Sequence, residues 1–301
     1  MEEEIRALIR ERGPLTGTEL QDALDCDSLL LWRTCVSSKR LAVLRAGTRY
    51  LRLDRRVQDF ARLSPSILRE FLTYSAVGLP EEPVPLKRRV TQITTAIEAV
   101  SRSKCLLLYR VVSSLGNQVQ SEIRVEDRVC FILAGDIVYN MAHSVPRPER
   151  STGRLVQGSD MDMVVIVDDR FPGELTERLD DAIFKEKYRL LTTPHIREEI
   201  DYVVKDLNRV REQARFDTFR HMVACKILWE GALLHGSERL FQQVKTMLRD
   251  FGVVRKIQAM EQKAAAFRQE AAEYLLSMDP KKIREKSLYL FYPTEESEEF
   301  E

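Results

Sequence analysis

A chain of 301 residues, 44% hydrophobic and 31% charged, can bury a sizeable core and has room for two domains. Lys+Arg and Asp+Glu both total 47, so overall charge selects no partner, and five scattered cysteines without a CxxC pair argue against a disulfide framework or a zinc site and for reduced thiols in a cytoplasmic protein. The opening MEEEIRALIRERG has no apolar signal region and no uninterrupted apolar run is long enough to span a bilayer, so no membrane partner is expected.

Ile5, Leu8 and Ile9 recur at helical spacing until Gly13-Pro14 stops the first helix. Thr16 or Thr18 is placed to cap a second helix, ELQDALD, and Asp27 or Ser28 a third, LLLWRTCVSSKR. Apolar and polar residues then alternate through LAVLRAGTRYLRL on both sides of Ala46-Gly47-Thr48, which predicts a β-hairpin with a glycine turn. Three short helices and a hairpin over residues 1–56 resemble a winged helix-turn-helix. Such a domain often meets nucleic acid through its third helix or wing, where Lys39, Arg40, Arg45 and Arg49 lie. Winged helices serve equally as dimerisation and docking modules, and both readings stay open.

Residues 57–86, with SPSILREFLTY and the Pro/Glu-rich GLPEEPVP, read as a connector. A helical pattern follows from Leu86 and is expected to end at Gly116-Asn117. VCFILAGDIVYNMAH then predicts a buried strand, a glycine turn and a helix, followed by a polar loop, SVPRPERSTGRLVQ. After QGSDMDMVVIVDD come a helix, ELTERLDDAIFKEKYRLL, and a further strand in TTPHIREEIDYVVKDL. The remainder is largely helical, with a core region over 87–236 and a C-terminal helical region over 237–301 that closes in an acidic, mobile tail, TEESEEFE.

QGSDMDMVVIVDD sets two acids, Asp160 and Asp162, at the mouth of a β-branched apolar run. Strand alternation points both to one face, and two adjacent carboxylates repel unless a divalent cation lies between them. Short aspartate side chains suit Mg²⁺, which demands near-octahedral oxygen ligands. The same pattern also arises at a solvated strand entry whose carboxylates accept backbone N–H bonds.

The segments LAGDIVYNMAH, QGSDMDMVVIVDD and EEIDYVV together resemble the catalytic core of the DNA polymerase β-like nucleotidyltransferases, including the minimal type, over residues 129–236. The resemblance implies an α+β fold, a mixed sheet flanked by helices. It implies two Mg²⁺ ions (Mn²⁺ as a substitute) and transfer of a nucleoside monophosphate from an NTP or dNTP to a hydroxyl. Asp160 and Asp162 would hold both ions, and Asp201 would complete the acceptor-side metal and help deprotonate the attacking hydroxyl, with Glu199 as a substitute. Gly135, Gly158 and Ser159 would lie against the nucleotide, the helix after Gly135 would favour the triphosphate, and Lys226 would face it. Two features depart from the family pattern: the turn reads Gly135-Asp136 where a Gly-Ser or Gly-Gly is usual, and the interval to Asp160 is long. That interval carries Arg147, Arg150 and Arg154, either a phosphate-gripping loop or a solvated one.

The acceptor is open between a nucleotide or nucleic-acid 3′ end and a protein, such as a toxin, and the family frequently serves bacterial phage defence or toxin–antitoxin systems. A regulator that binds DNA and uses an inactive nucleotidyltransferase domain to sense nucleotides is the alternative. A tRNA- or aminoglycoside-modifying enzyme is a weaker third reading.

Overall fold

The computed structural model describes residues 1–119, 125–149 and 152–293 and shows an α+β chain that divides into two compact units, Met1–Glu98 with Glu261–Glu301, and Ala99–Met260. Both divisions fall inside long helices, Pro83–Val119 and Val253–Ser277, rather than at the linkers that the sequence suggests. Among the described residues no helix is long and apolar enough to cross a membrane.

In the first unit the helices Glu2–Arg12, Gly17–Leu24 and Ser28–Ser37 form as their spacing predicts. Thr16 caps the second through a capping box with Glu19, and Asp27 caps the third by accepting from the Leu30 N–H. The strands are β1 (Leu15–Thr16), β2 (Ala42–Arg45), β3 (Tyr50–Leu53), β4 (Ala61–Ser64) and β5 (Ser75–Gly78). The expected hairpin over 41–53 does not form. β2 pairs with β5 and β3 with β4, so the two alternating segments belong to different sheets, ordered β1-β5-β2 and β3-β4. The supposed connector therefore supplies β4, the helix Ile67–Thr73 and the central strand β5, and its Ile67, Leu68, Phe71 and Val77 are buried with Ile5, Leu20 and Trp32.

The second unit is built on a four-stranded sheet of β6 (Val129–Leu133), β9 (Met161–Val167), β10 (Ile200–Asp206) and β11 (Ala232–Gly236), in the order β10-β9-β6-β11. β9 and β10 are parallel, joined across the helix Gly173–Thr192, whereas β6 runs antiparallel to both β9 and β11. Odd-numbered residues of β9 (Met161, Met163, Val165, Val167) enter a core with Leu175, Leu179 and Ile183 of that helix and Leu108, Val111 and Val112 of the long helix. The even-numbered residues, Asp162 among them, point to the opposite face. The long helix passes through Gly116 and Asn117 to Val119, so those residues do not cap it. The polar loop before β9 holds a small antiparallel pair, β7 (Arg147–Pro148) with β8 (Leu155–Val156).

The helix Phe219–Glu230, which carries Lys226, is closed at its end by a buried lysine from the helix Glu238–Asp250. Lys245 Nζ donates to the carbonyls of Leu228 (2.8 Å), Trp229 (2.5 Å) and Gly231 (2.7 Å). Orphan carbonyls at a helix end need donors, and charged hydrogen bonds contribute about 1.5–3 kcal/mol each. Lys245→Ala is therefore expected to lower unfolding free energy by about 2–4 kcal/mol, the lower range reflecting solvent entering the vacated space. Denaturant titration of both chains measures it.

Candidate active site

The two acids of the GSDMD segment stand at the leading end of β9, and the neighbouring strand brings a third. In the parallel ladder Asp162 is directly opposite Asp201, and Met161 opposite Ile200, which places Glu199 beside Asp160. Adjacent strands lie about 4.8 Å apart, so the paired aspartates share a face at neighbouring positions. Two backbone bonds extend the alignment ahead of the strands: Met161 N donates to the Glu199 carbonyl and Gln157 N to the Arg197 carbonyl, both at 2.9 Å. Lys104, buried on the long helix, ties the same two approaches together by donating to the Gln157 carbonyl (2.6 Å) and pairing with Glu198.

The turn after β6 forms the wall of the site. Ala134 N donates to the Asp162 carbonyl at 2.9 Å, and Gly135 follows with φ +67°. A Cβ on Gly135 would fall 1.9 Å from Asp162 Oδ2, so only glycine lets the turn approach that carboxylate. The expected helix is instead a five-residue 3₁₀ segment, Gly135–Tyr139, ended by Asn140 in the left-handed conformation. So short a segment has no appreciable dipole to offer a triphosphate.

Asp136 turns toward the strand entry, where Ser159 Oγ donates to its Oδ2 at 3.0 Å. The same hydroxyl accepts from the His143 N–H (3.2 Å), and Ser159 N donates to the His143 carbonyl (3.1 Å). Gly158, at φ +65°, sits where a Cβ would meet the His143 carbonyl oxygen at 1.9 Å. Gly158 and Ser159 thus lock the strand entry to the turn; their contacts are structural.

Burial, and then the charges of Asp160, Asp136 and Asp201, push the Asp162 carboxyl well above its usual range, with Lys226 acting in the opposite direction. Lys226 is therefore electrostatically part of the site. Its Nζ also pairs with Glu230 at 2.5 Å and lies 5.7 Å from the Tyr139 ring centroid. Asp160 is 3.2 Å from Arg147, which is itself buried. Arg147 also donates to the Gly158 carbonyl and to Glu199 Oε2, both at 2.9 Å. Arg147 is thus a strut under the strand entry and not part of a phosphate-gripping loop, and Glu199 is held by it rather than standing ready as a substitute ligand. Arg154 is exposed, and Arg150 lies outside the described residues, as does the acidic tail.

The donor set suits a hard divalent cation: carboxylates and a hydroxyl, with no thiolate or imidazole ligand in the cluster. Strand register brings Asp162 and Asp201 together, and residue alternation adds Asp160. Among the described residues no group of three or more Asp, Glu, His or Cys side chains closes around a common point.

In the first unit the basic residues read as a nucleic-acid surface have partners nearby. Arg49 donates to both oxygens of Glu70 at 2.6 Å, Arg45 reaches the same carboxylate at 3.9 Å, and Arg40 pairs with Glu2 (3.4 Å) and Glu3. Lys39 is exposed at the end of the third helix.

Sequence reasoning missed Lys104 and the structural role of Arg147. The signal for Lys104 was a cation directly before the apolar run CLLLY. Comparison of the chain with protein-family models, curated proteins and solved structures found no match.

Proposed function

We propose that the Ala99–Met260 unit is a Mg²⁺-dependent nucleotidyltransferase that moves an NMP group from an NTP or dNTP to a hydroxyl acceptor. The observation that carries this reading is the parallel register of Asp162 with Asp201, with Asp160 on the same face and a glycine turn against the Asp162 carboxylate. Asp160 and Asp162 would hold the ions, and Asp201 would orient and deprotonate the acceptor hydroxyl. Lys226 supplies positive charge on the side where phosphate charge must be balanced. Bound divalent cations would neutralise the triphosphate and activate the attacking oxygen. Lys104, Arg147 and Ser159 keep the strand entries aligned so that these carboxylates stay on one face.

The acceptor is a nucleotide, a nucleic-acid end or a protein such as a toxin partner. In the first unit, the sheet order β1-β5-β2, with the helix Glu2–Arg12 before β1 and the helices Gly17–Leu24 and Ser28–Ser37 between β1 and β2, supports a winged-helix reading in which residues 46–74 form a greatly enlarged wing. The free cysteines fit a cytoplasmic setting; burial pushes the thiols of Cys35, Cys130 and Cys225 up to about 12, which keeps them protonated and inert.

A nucleotide-sensing regulator with an inactive domain is the second reading, and one observation favours it. Asp136 places a further negative charge beside Asp162, where a triphosphate would approach. Incubation with each labelled NTP and dNTP plus Mg²⁺ separates the two. The proposal expects pyrophosphate release that Asp160→Ala and Asp201→Asn each reduce by at least about a hundredfold. Nucleotide binding without turnover would instead establish the sensor.

A further inference from the structure

The sheet of the second unit ends on two unlike edges. β11 is bulged between Leu233 and His235, an irregularity that hinders pairing with a further strand. β10, at the other edge, pairs with β9 through all seven of its residues without a bulge and contains no proline. Among the described residues no strand lies on its outer side. Because Met161 N donates to the Glu199 carbonyl, parallel geometry turns the backbone groups of the odd-numbered β10 residues toward β9. Those of Ile200, Tyr202, Val204 and Asp206 therefore point outward, where a further strand would add.

The side chains of Asp201, Val203 and Lys205 share one face of the strand. Asp201 is exposed, and so is Val203, which is apolar yet 46% open to solvent. Lys205 is half-buried, and its Nζ donates to Gln213 Oε1 at 3.0 Å. Burial pushes its ammonium down to about 8, with Cys225 opposing and Arg209 adding to the depression. Neither Asp201 nor Lys205 has an ion-pair partner among the described residues.

A second copy of β10, laid antiparallel on this edge with the dyad at Val203, gives each of these groups a partner. Asp201 then stands opposite Lys205 of the second copy, Tyr202 opposite Val204, and Val203 opposite itself. The backbone accepts this register: Tyr202 and Val204, which face outward, become hydrogen-bonded pairs. Asp201 with Lys205, and Val203 with Val203, fall at the non-hydrogen-bonded pairs, where side chains approach most closely. In-register parallel pairing would instead set Asp201 against Asp201. Sliding one antiparallel strand by two residues sets Asp201 or Lys205 against Val203. We propose that the chain forms a symmetric dimer through antiparallel pairing of β10 with β10 of a second copy, which joins the two sheets into one. A two-fold axis perpendicular to the sheet keeps both carboxylate faces on the same side, so each receives a lysine from the other copy beside its Asp201. A carboxylate has two oxygens, and Asp201 can meet that lysine and a cation together.

Sedimentation equilibrium of the full chain over a range of concentrations tests the proposal. The native chain should show reversible exchange between monomer and dimer. Val203→Lys sets two like charges at the dyad from an exposed position and should raise the dimer dissociation constant by at least about tenfold with the melting temperature unchanged. Asp201→Lys and Lys205→Asp should each weaken the dimer, and the two combined should restore it, because the exchanged charges are again opposite. Circular dichroism checks that each variant is folded, and Val203→Lys decides alone if Lys205→Asp is not. A native chain that stays monomeric at every concentration, or a dimer that Val203→Lys leaves intact, would overturn the proposal. So would a folded double variant that fails to recover what the single variants lose. The readout is mass, so the outcome is separate from that of the turnover assays, which bear on the catalytic reading.

Discussion

Asp162→Asn is expected to abolish nucleotidyl transfer while making the metal-free chain more stable at neutral pH. The loss of activity should reach at least about a thousandfold, since removing a cation ligand forfeits several kcal/mol of charge stabilisation at the reacting phosphate. The stability gain follows from the site's electrostatics. Burial raises the Asp162 carboxyl above its ordinary value of 3.8, and the charges of Asp160, Asp136 and Asp201 raise it further. Below pH 3.8 the carboxyl is protonated whether the chain is folded or not, so it exerts no penalty. As pH rises past that value the unfolded chain releases the proton first, and folding becomes progressively less favourable until pH exceeds the raised folded value. Above it the penalty is complete.

Asparagine carries no charge at any pH. The difference in melting temperature between Asp162→Asn and the native chain, measured in EDTA, should therefore be near zero at about pH 3 and grow as the pH rises above that value. Each 1 kcal/mol corresponds to about 2–4 °C for a chain of this size, so the gain is read as a rise in melting temperature. Added Mg²⁺ should raise the melting temperature of the native chain and leave that of Asp162→Asn nearly unchanged. A variant that melts lower than the native chain at neutral pH would mean that the carboxylate is a satisfied structural group, and the metal reading would lose its basis.

Gly135→Ala should cost both stability and activity although no functional group is removed. The new methyl would meet Asp162 Oδ2 at 1.9 Å and Cγ at 2.9 Å, on a residue held at φ +67°. Left-handed strain for a non-glycine residue costs about 1–2 kcal/mol, and displacing the carboxylate adds to it. Gly153 provides the control, since it has φ +66° and an added methyl would find nothing within 4 Å. Gly153→Ala should show the strain alone, about 1 kcal/mol in a denaturant titration, with turnover intact. If both variants turn over equally, the close approach of the turn to Asp162 has no bearing on the chemistry.

The leading strand of the site was legible because its evidence is local. Five apolar residues after two alternating acids define both the strand β9 and the face its carboxylates occupy. The pairing of Asp201 with Asp162 was expected only through family resemblance, since register between parallel strands depends on a crossover helix and on loops such as the one pinned by Lys104. Non-local pairing also explains the misplaced hairpin. The alternation in LAVLRAGTRYLRL marks two strands correctly, but the partner of β2 lies about thirty residues on, in SAVG, a segment too short and too small in side chain to announce a central strand. Arg147 was read as a loop cation because its sequence neighbours are polar and proline-rich; its burial follows from Glu199 and Asp160, which tertiary structure alone brings to it.

The central claim is that Asp160, Asp162 and Asp201 share divalent cations at the head of β9 and β10. Crystals grown with Mn²⁺ and a non-hydrolysable NTP, with anomalous diffraction recorded on the manganese, test it most directly. The account predicts manganese within about 2.0–2.3 Å of carboxylate oxygens from all three residues, with Asp160 swung away from Arg147. Saturating Mn²⁺ and nucleotide with no anomalous peak at these carboxylates, or a peak bound only elsewhere, would contradict it.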